Sequence, residues 1–268
     1  MLKFLYKLLC MSALTCAVLL VLYLAVRIFV TDSFRIPTES MSPTLVPGDR
    51  VRVNKLLMGP RIYTDLHFTR EGGELKSVRM RGTRPIRHND IVVFNQANHR
   101  RTVKFVINRV YCKRCVGLPG DTISIVNGRY VNNNYKGTLG VEAEQRRLEQ
   151  MADSMVPGRC LRAMPKDKHI RWTIRNFGPM YIPRRGDIME ITPETATIHQ
   201  VILEWEQGCP LDIDWDKNLV TAGGRRLTRH RFLHNYYFMA GDNVVNSDDS
   251  RYKGPVPEEY IIGIAFKM

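Results

Sequence analysis

The hydrophobic pattern of the chain changes character near residue 30. From Leu8 to Val26 there are 19 consecutive residues without a charge, preceded by Lys3 and Lys7 and closed by Arg27. As a helix that run spans roughly 28 Å at ~1.5 Å per residue, close to the ~30 Å of a hydrocarbon core. A cleavable signal peptide would have a shorter apolar region ending in a small-x-small site. Ala25-Val26-Arg27 supplies no such site, so the pattern favours an uncleaved anchor over that rival and over a buried core helix. We expect residues 1–7 to be cytoplasmic, 8–30 to form a transmembrane signal anchor, and the rest to lie outside the cytoplasm. The charges of Lys3 and Lys7 set that orientation, and Arg27 weakens it.

Beyond the anchor the period shortens from that of a helix to that of a strand. One unit recurs: a turn residue, an aspartate, then a short β-rich run. It appears at Gly48-Asp49, Asn89-Asp90, Gly120-Asp121 and Gly186-Asp187, each reading as a turn that feeds a strand. Asn127-Gly128 sits between two β-rich arms and predicts a two-residue hairpin, and Gly223-Gly224 gives a weaker signal of the same kind. Two stretches read as helices. Glu142–Met155 places Leu148, Met151 and Met155 on one face. The other opens at Thr192-Pro193, carries Ile198, Val201, Ile202 and Trp205 as a core stripe, and stops at Gly208. Both fall within 126–235, which reads as an insertion in a β domain.

Charge and composition narrow the chemistry. Forty Lys and Arg against 26 Asp and Glu leave +14, a balance that suits a membrane surface or nucleic acid. The clusters Arg79/Arg81/Arg84/Arg87 and Arg225/Arg226/Arg229/Arg231 read as solvated faces or as contacts with anionic headgroups, and no nucleic acid is expected. The seven histidines (His67, His88, His99, His169, His199, His230, His234) lack ligand spacing, apart from His230 and His234 four apart, and read as surface residues. No metal and no cofactor is expected. Cys112 and Cys115 have redox-motif spacing, but on a strand they face opposite sides, so they read as small buried hydrophobes. Cys160 and Cys209 are able to pair in an oxidising compartment, although nothing in their spacing requires it. A Gly-x-Ser-x-Gly elbow is missing from the sequence. The segment Ile36-Pro37-Thr38-Glu39-Ser40-Met41-Ser42-Pro43-Thr44-Leu45 brackets Ser40 between two prolines that restrict the backbone. It reads equally as a fixed nucleophile and as a stiff linker leaving the membrane.

That segment, continued by Pro47-Gly48-Asp49, resembles the serine box of the bacterial type I signal peptidases. Tyr111-Cys112-Lys113-Arg114-Cys115-Val116-Gly117-Leu118-Pro119-Gly120-Asp121 resembles their lysine box, and Asn89-Asp90-Ile91-Val92-Val93-Phe94 a less specific one. Gly241-Asp242-Asn243, with Asn246-Ser247-Asp248-Asp249-Ser250-Arg251 and Gly254, resembles their C-terminal box. All four stand in the family's order behind an N-terminal anchor. Two departures occur: Val244-Val245 where the family commonly has Arg-Asp, and Lys253 where it commonly has Trp.

The resemblance implies a mainly β fold: an N-terminal transmembrane helix, then a β-rich catalytic domain (31–125 and 236–268) with an inserted α+β second domain (126–235). It implies a membrane-anchored serine endopeptidase that removes signal peptides from preproteins at Ala-x-Ala sites. Ser40 would be the nucleophile and Lys113 the general base. The Ser40 N–H and the Thr38 hydroxyl would form the oxyanion hole. Ser247 would orient Lys113, Asp249 and Arg251 would brace the loop, and Asp242 would support it. Phe34, Ile36, Met41, Leu45 and Cys112 would line pockets for small side chains. Its partners would be preprotein signal peptides, the phospholipid membrane and the secretion translocon, with the catalytic domain on the periplasmic side of the inner membrane. The chemistry is self-consistent, since a neutral lysine can deprotonate a serine. Moving its pKa from ~10.4 to roughly 7.4 disfavours the ammonium by roughly 4 kcal/mol, which burial among apolar neighbours can supply. A peptidase dedicated to one secretion or conjugation substrate shares these features. So does an inactive membrane-attached homologue, except that Ser40 and Lys113 are intact.

Overall fold

The computed structural model describes residues 1–65, 67, 69, 72–99 and 102–268, without the side chains of residues 98, 99 and 159. The reading of His99 as a surface residue therefore lies outside the described side chains. Helix α1 (Leu2–Ala25) continues through one wider turn to Val30, and none of its residues is buried. From Leu8 to Val26 it carries no charge on any face, and it is long enough to cross a bilayer. The helix takes in Lys3 and Lys7, so it begins earlier than the uncharged run. Its foot is tied to the rest of the chain. Lys55 Nζ donates to the Arg27 carbonyl at 2.6 Å, and Asp32 pairs with both Arg27 and Lys55.

The chain after α1 is organised on one antiparallel sheet of seven strands. These are β1 (Thr31–Arg35), β2 (Arg50–Asn54), β3 (Ile91–Asn95), β4 (Val110–Gly117), β5 (Tyr236–Ala240), β6 (Val256–Pro257) and β7 (Ile261–Lys267), in spatial order β1-β2-β7-β3-β4-β5-β6. Alternation sets which side chains go inward: Val51 and Val53 of β2 are buried while Arg50 and Arg52 are exposed.

The recurring turns share one construction. Asp49, Asp90, Asp121 and Asp187 each follow a residue at positive φ. Each takes a backbone N–H from the residue three positions earlier on its carboxylate and returns its own N–H to that residue's carbonyl. The carboxylate thus closes the turn from both ends, which is why Asp recurs there. The two hairpins form as expected, Thr122–Val126 with Arg129–Asn132 and Leu219–Ala222 with Arg225–Arg226. Positive φ at Asn127, Gly128, Gly223 and Gly224 permits their tight turns.

Helix α2 (Glu142–Gln150) is shorter than its pattern predicts. The Arg175 guanidinium donates to the carbonyls of Glu149 and Met151 and ends it. Leu148 is buried but Met155 is exposed, so the expected apolar face stops short. Helix α3 (Pro193–Gln207) matches its signals. Thr192 and Thr195 exchange side chain-to-backbone hydrogen bonds at its start, and Gly208 ends it in the left-handed region. Ile198 and Ile202 of α3 join Ile182 and Phe232 in a cluster that also contains Val116 of β4 and Phe238 of β5. Residues 126–235 therefore pack into the same apolar mass as the large sheet.

Two surface readings are corrected. His199 and His230 are buried: His199 lies between the carbonyls of Thr195 and Tyr181, and His230 contacts the Glu206 carboxylate at 2.7 Å. Arg79 is not a solvated charge. It donates to the carbonyls of Gly59, Glu258 and Ile261, while Arg84 grips Asp90 at 2.7 and 3.0 Å. These guanidinium groups hold loops against the sheet through contacts that spacing alone does not reveal.

Candidate active site

Strand β4 passes through the interior of the sheet, paired to β3 on one side and β5 on the other. Successive side chains on it point to opposite faces. Lys113 points one way and is 4% exposed. Above it lies a single helical turn, Glu39–Met41, reached from β1 through Ile36 and Pro37. The loop carrying that turn is closed at its base by Ile36 N–H to the Asp49 carbonyl (2.8 Å) and Gly48 N–H to the Ile36 carbonyl (2.9 Å). It is pinned from below by Ile36, Met41 and Leu45, which pack with Val51, Val53, Val93 and Ala265. A proline-bracketed turn anchored at three apolar points holds its middle residue in one place, and that residue is Ser40.

Ser40 and Lys113 are brought together. Lys113 Nζ lies 2.6 Å from Ser40 Oγ and 3.1 Å from the Cys112 carbonyl. Burial holds the Lys113 amine below its ordinary value, against the opposing pull of Asp249, Cys112 and Asp248 and with help from Arg251. Thr38 Oγ1 is 3.4 Å from Ser40 Oγ. The first N–H groups of a short helical turn have no partner within it, and the Ser40 N–H occupies such a position.

The loop after β5 supports this arrangement. Asp249 and Arg251 are fully buried and joined by two bonds, Nε to Oδ1 at 2.9 Å and Nη2 to Oδ2 at 2.7 Å. Burial pushes the Asp249 carboxyl up, but Arg251 and the Gly241 N–H outweigh it and hold it below its usual value. Arg251 also donates to the Val244 carbonyl at 2.7 Å. Asp242 is gripped by Arg114 at 2.6 and 2.7 Å. Ser247 departs from its expected contact: among the described residues no hydrogen bond joins it to Lys113. Its hydroxyl lies instead where a Cβ on Gly241 would be, 2.1 Å away.

Three residues that lie in the sequence boxes but carried no expected role are structurally prominent. Asn243 donates its N–H to the Ser40 carbonyl (3.2 Å) and Nδ2 to the Glu39 carbonyl (3.3 Å), tying the serine turn to this loop. Gly241 allows that approach, because a Cβ there would lie 2.4 Å from the Ser40 carbonyl oxygen. Arg114 reaches the Asn89 carbonyl and the Thr44 hydroxyl as well as Asp242, joining three segments distant in sequence. Its position next to Lys113 on a strand was the available signal, since alternation sends it to the other face. The departure at Val244 has a physical reason, because it is buried with Leu148, Val156, Cys160 and Ile174. Lys253 pairs with Asp248 at 3.0 Å.

A groove of ≈620 Å³ runs past the pair, with Ile36, Met41, Cys112 and Tyr111 among its lining residues. Phe34 and Leu45 do not line it; they belong to the cluster beneath. Burial pushes the Cys112 thiol up to about 12. All six cysteines are free, Cys160 and Cys209 among them. Among the described residues no group of three or more His, Cys, Asp or Glu is placed to hold a metal ion.

Comparison with known proteins adds a family. The family model described as "Signal peptidase, peptidase S26" matches residues 9–268. The signal peptidase I of Buchnera aphidicola subsp. Baizongia pistaciae is 27% identical over 263 residues, covering 91% of this chain and 71% of that one. That of Pseudomonas fluorescens is 29% identical over 260 residues, covering 93% and 68%. The crystal structure of a signal peptidase I from Enterococcus faecalis covers 68% of this chain and 97% of its own at 17% identity and a TM-score of 0.32, too low to bear on the fold.

Proposed function

The chain belongs to the signal peptidases of family S26 and is a serine peptidase, and from that membership we propose how it removes signal peptides: through a Ser40/Lys113 dyad. The observation that carries this reading is the 2.6 Å contact between Ser40 Oγ and a buried Lys113 Nζ. A neutral amine takes the hydroxyl proton as Oγ attacks the scissile carbonyl carbon. The Ser40 N–H and Thr38 hydroxyl receive the resulting oxyanion. Lys113, now an ammonium, gives its proton to the leaving amine. The mature chain departs, and the signal peptide remains esterified to Ser40. A water then gives a proton to Lys113 as it attacks the ester, and Lys113 passes that proton to Ser40 Oγ as the ester bond breaks, releasing the signal peptide and restoring the dyad. The pair Asp249/Arg251 and the contacts of Asp242 and Asn243 act by holding the serine turn against β4.

Selectivity for small residues follows from the groove. Ile36, Met41 and Cys112 form its wall and Phe34 and Leu45 back that wall, so a long side chain on the substrate would collide with packed atoms. All seven strands of the large sheet come from 31–125 and 236–268, which supports reading these as the catalytic domain and 126–235 as an insertion. The apolar helix anchors the protein, and Lys3 and Lys7 favour a cytoplasmic N-terminus with the dyad at the far interface, beside the translocon that delivers preproteins.

The test is cleavage of a preprotein with an Ala-x-Ala site by the full chain in detergent, with N-terminal sequencing of the product. Cleavage after the second Ala, absent in Ser40→Ala, is expected. Equal cleavage by Ser40→Ala would remove the nucleophile.

A further inference from the structure

Where α1 meets the sheet, three arginines have no counter-charge among the described residues. Arg35 of β1 and Arg50 of β2 are direct cross-strand partners, and Arg52 is the next residue of β2 on the same face. All three are exposed, and among the described residues none of their guanidinium groups makes an ion pair or hydrogen bond. The acids nearby are taken: Asp32 by Arg27 and Lys55, and Asp49 by Lys267. Like charges directly opposite on a sheet face destabilise it, so an anion bound from outside the chain would relieve their repulsion.

The shape of the recess says which kind. Arg35, Arg50 and Arg52 line a hollow of ≈490 Å³ together with Tyr23 and Val26 of the apolar helix, Met268 and the mutually paired Arg27 and Asp32. Cationic and apolar surfaces therefore meet within one cavity, at the height where the helix leaves the bilayer, with the Lys55–Arg27 bond fixing the helix foot. A soluble anion would use only the arginines. A lipid would use both walls. We propose that this recess binds one anionic phospholipid, its phosphate against Arg35, Arg50 and Arg52 and its acyl chains along Tyr23 and Val26. The site is separate from the Ser40/Lys113 groove, and it rests on the membrane-anchored helix rather than on the proposed reaction.

The test is native mass spectrometry of the full chain, purified in neutral detergent and titrated with dioleoyl phosphatidylglycerol or dioleoyl phosphatidylcholine. The wild-type chain is expected to retain one phosphatidylglycerol and no phosphatidylcholine. With each interfacial arginine contributing about a factor of five, Arg35→Ser/Arg50→Ser/Arg52→Ser is expected to bind roughly a hundredfold more weakly. Arg50→Ser alone should bind about fivefold more weakly, so the test survives if the triple variant fails to fold. Arg225→Ser/Arg226→Ser/Arg229→Ser removes the same charge from the other basic cluster and should retain the lipid. The proposal is overturned by undiminished binding in both site variants, by equal loss in the control, or by equal retention of phosphatidylcholine. Displacement of the lipid by soluble glycerol 3-phosphate at equal concentration would assign the arginines to a free phosphate instead, and would also overturn it.

Discussion

Gly241→Ala tests how the loop after β5 sets the position of Ser40. The added Cβ would stand 2.4 Å from the Ser40 carbonyl oxygen and 2.1 Å from Ser247 Oγ, where real Cβ contacts are essentially never under 3.0 Å. The Ser247 hydroxyl can turn away, but its Cβ, 2.5 Å from the added one, is fixed to the backbone, and the Ser40 carbonyl is part of the turn that presents the nucleophile. Relief against the carbonyl alone needs a shift of about 0.6 Å. It would also strain the Asn243 N–H to Ser40 bond. Displacements near 1 Å can cost on the order of a hundredfold in rate, or about 2.7 kcal/mol in the barrier. We therefore expect kcat for preprotein cleavage to fall by roughly two orders of magnitude, with the thermal transition, followed by circular dichroism, moving by only a few degrees. The companion variant Gly241→Ala/Ser247→Gly removes both clashes with Ser247 and leaves the one with the Ser40 carbonyl, so it should remain as slow. Wild-type rates in Gly241→Ala, or recovery in the double variant, would refute the claim that the Ser40 backbone is what Gly241 accommodates.

Three further outcomes follow. If the neutral amine of Lys113 is the base, activity should rise with pH through its folded pKa and level off before the ordinary lysine value, since burial lowers that pKa; a rise centred on the ordinary value, or an unchanged rate in Lys113→Ala, would contradict this. Asp249→Ala strands a fully buried Arg251 and should cost about 3–5 kcal/mol in unfolding free energy, while Asp249→Leu/Arg251→Met should recover most of it. Because the folded pKa of Asp249 is lowered, its contribution is present above the unfolded carboxyl value and is lost as pH falls through the folded one, which acid titration of wild type against the double variant would show. Cys112 lines the groove, yet with its thiol pushed up to about 12 it should resist iodoacetamide at pH ~8, because the thiolate is the reactive form; rapid modification found by peptide mapping would refute that.

What could be read in the sequence was what neighbouring residues dictate. The four Asp turns, the Asn127-Gly128 hairpin and the Thr192 to Gly208 helix each depend on contacts within a few positions, and each appears where the pattern places it. The proposed dyad was legible for a different reason, since Ser40 and Lys113 lie in motifs that a family resemblance connects across 73 residues. Asn243, Gly241 and Arg114 escaped because their importance arises only when β4, β5 and the serine turn converge. Arg175 likewise shortens α2 from 24 positions away from Met151, and His199 and His230 are buried by elements that close over them. Local chemistry shows in a one-dimensional pattern, whereas a close approach between distant segments does not.

The most direct test of the dyad is a rapid acid quench of the full chain during preprotein cleavage, followed by mass spectrometric mapping of the acyl-enzyme. A signal-peptide ester on Ser40 that is absent in Lys113→Ala is the predicted result. Turnover with no ester, or with an ester on any other residue, would contradict it.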